Sequence, residues 1–241
     1  MATIRCSERR PADSVGHDSN VIGDWIRSSS FVTGVVEQQR GVRCELLIVL
    51  LLLVWANTSL LAGEWNHAWA FSPSRVAAGE WWRLLTHPFV HVSWYHLLLD
   101  GAAFLMLYTE MSAWSRRQRL MAVLSCAFGS LVAALSSPIV AGNGFCGLSG
   151  IAHGLMVLSA LGMVRGKERA QRCAGWIALS CVIAKALLEA ITGDVLLSFV
   201  HMGLMGSPVA ACHAGGVVGG VLAWLIIARI RFVSTDAGGE K

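Results

Sequence analysis

Apolar residues gather in six runs along this chain, at about 45–62, 94–111, 119–140, 148–164, 173–191 and 209–230, with polar or mixed segments between them. Each run is close to the ~20 residues that carry an α-helix across a hydrocarbon core. The pattern predicts an all-α, polytopic membrane protein with a bundle of six transmembrane helices. Residues 1–43 are polar, mixed in charge and rich in Ser, Gly and Arg, and read as a disordered cytoplasmic tail. The membrane domain is expected over 44–231, with a second short tail over 232–241. The long connection 63–93 carries Trp65, Trp69, Trp81 and Trp82, side chains that favour the headgroup level.

Composition agrees with the pattern. Of 241 residues, 55% are hydrophobic and only 14% charged, and the mean hydropathy is +0.58. Soluble domains carry nearer a quarter charged residues. The net charge of +4 is no argument for nucleic acid, because the basic residues sit in loops between apolar runs. Their placement orients the chain. Arg and Lys crowd the N-terminal segment, the loops at 116–119 and 165–172, and the C-terminal tail, whereas the intervening loops hold only Arg75 and Arg83. By the positive-inside rule both termini are cytoplasmic.

That orientation turns scattered polar residues into a group. Ser149, in Gly147-Leu148-Ser149-Gly150, stands at the outer end of the fourth run. His213 lies about one turn into the sixth run, which also starts from outside. His96 and Asp100 share one face of the second run by their i, i+4 spacing. Polar groups at membrane depth are costly and face the protein interior or a water-filled cavity. A serine becomes a nucleophile when a base takes its proton, and histidine is the usual base near neutral pH. Ser149 and His213 can form such a dyad, and the small residues around His213 permit close helix approach. The N–H groups of Leu148 and Ser149 at a helix start are candidate oxyanion donors, with His96 as a side-chain donor.

At these residues the chain resembles the rhomboid intramembrane serine proteases, six-helix enzymes that cleave transmembrane substrates with a Ser-His dyad. Trp82-Arg83-Leu84-Leu85-Thr86, followed by Phe89 and His91, is similar to the end of that family's first loop. His91, His96 and Asp100 match its H-x4-H-x3-N spacing, with Asp100 in place of the asparagine. Gly147-Leu148-Ser149-Gly150 matches the nucleophile motif. His213 with Gly216 and Gly220 matches the last-helix motif, with Cys212 in place of an alanine. The resemblance implies catalytic Ser149 and His213, oxyanion or supporting roles for His96, Asp100, Leu148 and Gly147, and structural or substrate-gate roles for His91, Arg83, His153, Lys185 and Glu189. It implies no metal and no cofactor. His153, where many rhomboids carry a tyrosine, and Lys185 with Glu189 are most similar to the bacterial rhombosortase branch. That branch implies substrates with a C-terminal Gly-Gly, apolar and basic tail, in a bacterial inner membrane, with the site opening to the extracytoplasmic side. Its partners are then transmembrane proteins and the bilayer, not nucleic acid.

Three points stay open in the sequence. Asp100, if ionised, cannot donate to an oxyanion. It either stays protonated or accepts from His96 and fixes that ring. Lys185 and Glu189 form either a structural bridge or a substrate-recognition pair. Cys146 and Cys212 flank the dyad and are either free thiols or a disulfide. A non-catalytic rhomboid-like binder of membrane helices and a small transporter are the competing classes. A general rhomboid protease with other single-span substrates is the nearer alternative.

Overall fold

The computed structural model describes residues 18–196, 203–204 and 206–236. The chain divides into two units, Met1–Arg40 and Gly41–Lys241. Among the described residues of the first unit there is only helix, the opening part of α1 (Asp18–Ala56). The helix therefore starts 27 positions upstream of the apolar run at residue 45. The stretch expected as a disordered tail, residues 1–43, thus falls partly on this helix, while residues 1–17 lie outside the described residues. Once an apolar stretch supplies the nucleus, extending a helix costs little per residue, and no proline interrupts residues 18–43.

The second unit holds the remaining helices: α2 (Pro73–Ala77), α3 (Arg83–Thr86), α4 (Trp94–Glu110), α5 (Arg116–Ala134), α6 (Pro138–Asn143), α7 (Ser149–Val164), α8 (Arg169–Thr192) and α9 (Ala211–Asp236). Apart from one antiparallel bridge between Phe71 and Phe145, no β-structure occurs among the described residues. Local chemistry explains the boundaries. Ser93 caps α4 by accepting from His96 N–H at 3.1 Å. A reciprocal Ser115–Gln118 capping box opens α5. The run at 119–140 is two helices rather than one, because Pro138 cannot continue α5 and instead starts α6.

Three stretches are long and apolar enough to cross a membrane: Glu37–Ala62, Arg169–Thr192 and Ala211–Ile230. The pair Arg83–Phe89 and Trp94–Ala113, bent by 96°, adds a fourth if counted as one span. α7, with 16 residues, reaches only ~24 Å at 1.5 Å per residue. It packs against α4, α5, α8 and α9, so protein rather than lipid surrounds much of it.

The α7–α9 crossing brings backbone against backbone. A Cβ placed on Gly216 would lie 1.8 Å from the Gly150 carbonyl oxygen. No residue larger than glycine fits there without separating the helices. This contact joins the residue next to Ser149 to one a turn past His213, so it sets the spacing of their helices.

Candidate active site

Ser149 is the first residue of α7. It follows Gly147, whose φ of 104° is the left-handed conformation that favours glycine. A side chain at Gly147 would also meet His96 Nε2 at 2.9 Å and Asp100 Oδ2 at 3.0 Å. Gly147 N–H donates to His87 O at 3.1 Å, and Phe145 and Phe71 exchange backbone bonds of 2.9 Å in both directions. The approach to α7 is thus held against the 63–93 connection. The first-turn N–H groups of any helix lack intrahelical partners, and Ser149 stands in that turn of α7.

A cavity of about 650 Å³ lies beside this helix start, and Ser149, His213, His96, Cys146 and Cys212 all line it. Ser149 Oγ stands 3.7 Å from Cys212 Sγ. No hydrogen bond joins Ser149 Oγ to His213 among the described residues. Catalytic contacts of that kind are often long before substrate arrives.

His213 is buried in α9, and its Nδ1–H donates to Glu189 Oε2 at 2.6 Å. Glu189, one turn from the end of α8 and only 1% exposed, also accepts from Lys185 Nζ at 2.7 Å and from Leu196 N–H at 2.8 Å, both through Oε1. Lys185 Nζ donates again, to His153 Nε2 at 3.0 Å, and His153 Nδ1–H donates to the Ser149 carbonyl at 2.7 Å. These partners assign His153 a neutral ring protonated at Nδ1. Its ring stacks on His213, with centroids 4.0 Å apart and planes 15° from parallel. Lys185 and Glu189 are thus part of a longer chain of bonds, Lys185 joined to His153 and Glu189 to His213.

On the other side, Asp100 on α4 accepts through Oδ2 from Leu148 N–H at 3.0 Å and faces His96 Nε2 at 3.1 Å. The N–H of Leu148, one of the expected oxyanion donors, is thus directed at a buried carboxylate. His96 is similarly engaged: Nε2 faces Asp100, and Nδ1 faces Val92 N–H at 3.5 Å. Asp100 therefore stands as an acceptor that ties α4 to the start of α7. Among the sequence-derived donors, the Ser149 N–H is the one without a hydrogen-bond partner among the described residues. His91 is fully buried beside this group, its Nε2 3.6 Å from Asp100 Oδ2 and its ring edge-on to His96.

Arg83 lies away from the cavity lining. It donates to the carbonyls of His67 and Ala70 at 2.6 and 2.7 Å and pairs with Glu80 at 2.6 Å, which clasps the 63–93 connection. Asn57 was not singled out in the sequence. It is 1% exposed and donates to Leu53 O and Phe89 O while accepting from His91 N–H at 2.8 Å. It pins the end of α1 to the segment carrying His91. A lone asparagine closing an apolar run was its only signal.

Cys146 and Cys212 are free thiols. Burial pushes the Cys146 thiol up to about 12, so it stays protonated at neutral pH and is a poor nucleophile. Two clusters bring metal-capable atoms within 4.8 Å of one another, His91–His96–Asp100 and His153–Glu189–His213. In the second, the Lys185 ammonium already occupies a cation's place beside Glu189 and His153. In the first, the Asp100 oxygen already accepts from Leu148.

The sequence model of the rhomboid domain matches residues 78–230, a stretch that contains Ser149, His213, His153, Lys185, Glu189, His96 and Asp100. The chain belongs to the rhomboid family. Rhomboids are in general intramembrane serine proteases that act on transmembrane substrates within the bilayer, and the apolar helices of this rhomboid mark an integral membrane protein. No curated protein matches the chain.

Proposed function

We propose that this rhomboid is an active serine endopeptidase in which Ser149 is the nucleophile and His213 the base. One observation carries the reading: Ser149, half-buried at the start of α7, and His213 line the same cavity. Nδ1 of His213 is taken by Glu189, which leaves Nε2 as the proton acceptor. Ser149 Oγ attacks the scissile carbonyl carbon while its proton passes to His213 Nε2. The oxyanion of the tetrahedral intermediate then meets the Ser149 N–H at the helix start. Collapse breaks the C–N bond, and His213 returns the proton to the leaving amine. Water, activated by the same histidine, hydrolyses the acyl-enzyme.

The fold in this reading is the six-helix rhomboid bundle, with both termini cytoplasmic and the cavity opening to the extracytoplasmic side of a bacterial inner membrane. The basic residues of alternate loops support that orientation. The substrate class is the rhombosortase type, a C-terminal tail of Gly-Gly, an apolar span and basic residues. His153 against His213, and Lys185 with Glu189, are the features in favour of that branch. A Gly-Gly pair also lowers the cost of unwinding a helix into the site.

The test is labelling of membranes with a fluorophosphonate probe, followed by cleavage of single-span reporters with and without a Gly-Gly tail. Labelling lost in Ser149→Ala and cleavage confined to the Gly-Gly reporter are the expected results. Cleavage of both reporters would leave a general rhomboid protease. Labelling that survives Ser149→Ala would overturn the nucleophile.

A further inference from the structure

We propose that Glu189 completes a Ser149–His213–Glu189 triad, as the positioning residue that holds the His213 ring for proton transfer. This rests on Ser149 and His213 being nucleophile and base, and it departs from a two-residue dyad.

The geometry is that of a buried carboxylate serving an imidazole. Glu189 Oε2 accepts from His213 Nδ1–H at 2.6 Å, a short, charge-assisted bond. Because Nδ1 carries the proton, Nε2 is the basic nitrogen, and Nε2 must take the serine proton. A ring without this partner could equally place its proton on Nε2, where it is no base.

The carboxylate is in turn fixed rather than free to swing. Its second oxygen accepts from Lys185 Nζ at 2.7 Å and Leu196 N–H at 2.8 Å. Burying a carboxylate without partners costs far more than a domain's margin of stability allows, and here both oxygens are satisfied. A third contact fixes the plane of the ring. His153, held between Lys185 and the Ser149 carbonyl, stacks on His213. Glu189 therefore sets the tautomer and direction of the base, while His153 blocks rotation of its face.

A bridge that served only stability would need Lys185 and Glu189 alone. The third bond, to a histidine that lines the cavity, goes beyond that bridge. Glu189 is on α8 and His213 on α9, so the pair also registers these two helices at the level of the serine.

The experiment uses the full chain in detergent micelles and follows fluorophosphonate labelling at several probe concentrations, which separates the inactivation rate from probe affinity. Glu189→Gln is expected to lower the inactivation rate at least a hundredfold, toward the ~10⁴-fold that removal of a triad carboxylate can cost, with probe affinity within about threefold. The glutamine amide can donate to Nδ1 and so selects the wrong tautomer. Glu189→Asp is expected to restore part of the rate, because it keeps the carboxylate. An inactivation rate for Glu189→Gln within about threefold of the native chain would overturn the proposal. A loss seen only as weaker probe affinity together with a lower thermal midpoint would also overturn it.

A second readout does not depend on catalysis. Proton NMR of Ser149→Ala is expected to show a far-downfield resonance for His213 Nδ1–H, absent in Ser149→Ala/Glu189→Gln and kept when Glu189 is aspartate. If the native chain is not labelled at Ser149, the protease reading fails on its own. The spectrum then still decides the pair: a resonance insensitive to Glu189 removes it.

Discussion

Two ion-paired carboxylates in this bundle, half-buried Glu45 and buried Glu189, have opposite surroundings. Glu45 on α1 is paired by both Nε and Nη2 of Arg119 at 2.9 and 3.0 Å, and Tyr108 donates to it at 2.5 Å. Arg119 also donates to the Trp114 carbonyl. That network is closed: its partners end in permanent cations, a phenol and backbone, and none of them lines the large cavity. Glu189 is as well satisfied, yet one of its partners is an imidazole that can change charge and that faces a cavity beside a serine. A carboxylate whose every partner is fixed holds helices together. One with a single titratable partner open to a cavity can also direct a proton.

The sharpest way to break the comparison is to neutralise each carboxylate in turn. Glu189→Gln should remove a hundredfold or more of Ser149-dependent probe labelling, with a smaller change in thermal midpoint. Glu45→Gln should leave labelling per folded molecule nearly intact. Equal losses of labelling in the two variants would erase the distinction.

Helix spacing comes next in size. Gly216→Val should cost roughly a hundredfold in labelling rate, since a misplacement near 1 Å can cost that much, and it should leave the Glu45–Arg119 network untouched. A variant labelled at the native rate would show that α7 and α9 need not be so close. On the structural side, Arg119→Met removes the two-pronged partner of the half-buried Glu45, which keeps Tyr108 and the exposed Arg116, and should cost about 1–2 kcal/mol, between the values for an exposed and a buried pair. Thermal unfolding in micelles should register it, while the labelling rate of the folded fraction stays within about threefold.

Asp100 should be intermediate. Asp100→Ala releases Leu148 N–H and the His96 ring, and should slow labelling by roughly tenfold through a looser α7 start. Asp100→Asn, which retains an acceptor for Leu148, should lose less. If both variants label at the native rate, the tie between α4 and α7 has no bearing on the serine. Smallest of all is Cys146→Ala, with labelling within about twofold of native. Because burial holds that thiol up at about 12, iodoacetamide at pH 8 should leave Cys146 largely unmodified, and modification should rise as pH approaches the thiol value. Fast alkylation at pH 8, read by mass spectrometry, would contradict this.

Much of the architecture was legible because hydrophobic runs have a length that the bilayer dictates. α4, α7 and α8 begin or end within a few residues of the expected places. The exceptions have local causes: Pro138 divided one run, and α1 ran on into polar sequence where nothing stopped it. The candidate nucleophile and base were legible from Ser149 between glycines and His213 among small residues. The partners of His213 were not. Lys185 and Glu189 announce each other by i, i+4 spacing on one helix, but nothing in that spacing says which neighbouring helix they face. The partner of Leu148 was hidden for the same reason, since its N–H meets a carboxylate 48 positions away.

The sequence by itself determined that this is a helical membrane protein, where its apolar runs lie, and which residue types could perform acyl transfer. Those properties follow from composition and from periods within single segments. Only the tertiary structure decided that His213 turns to Glu189, that His153 stacks on it, and that Asp100 holds Leu148. Each of these is a contact between different helices, and it depends on how closely and at what rotation two helices cross. In this protein a glycine carbonyl at Gly150, facing Gly216 with no room for a methyl group, sets that crossing.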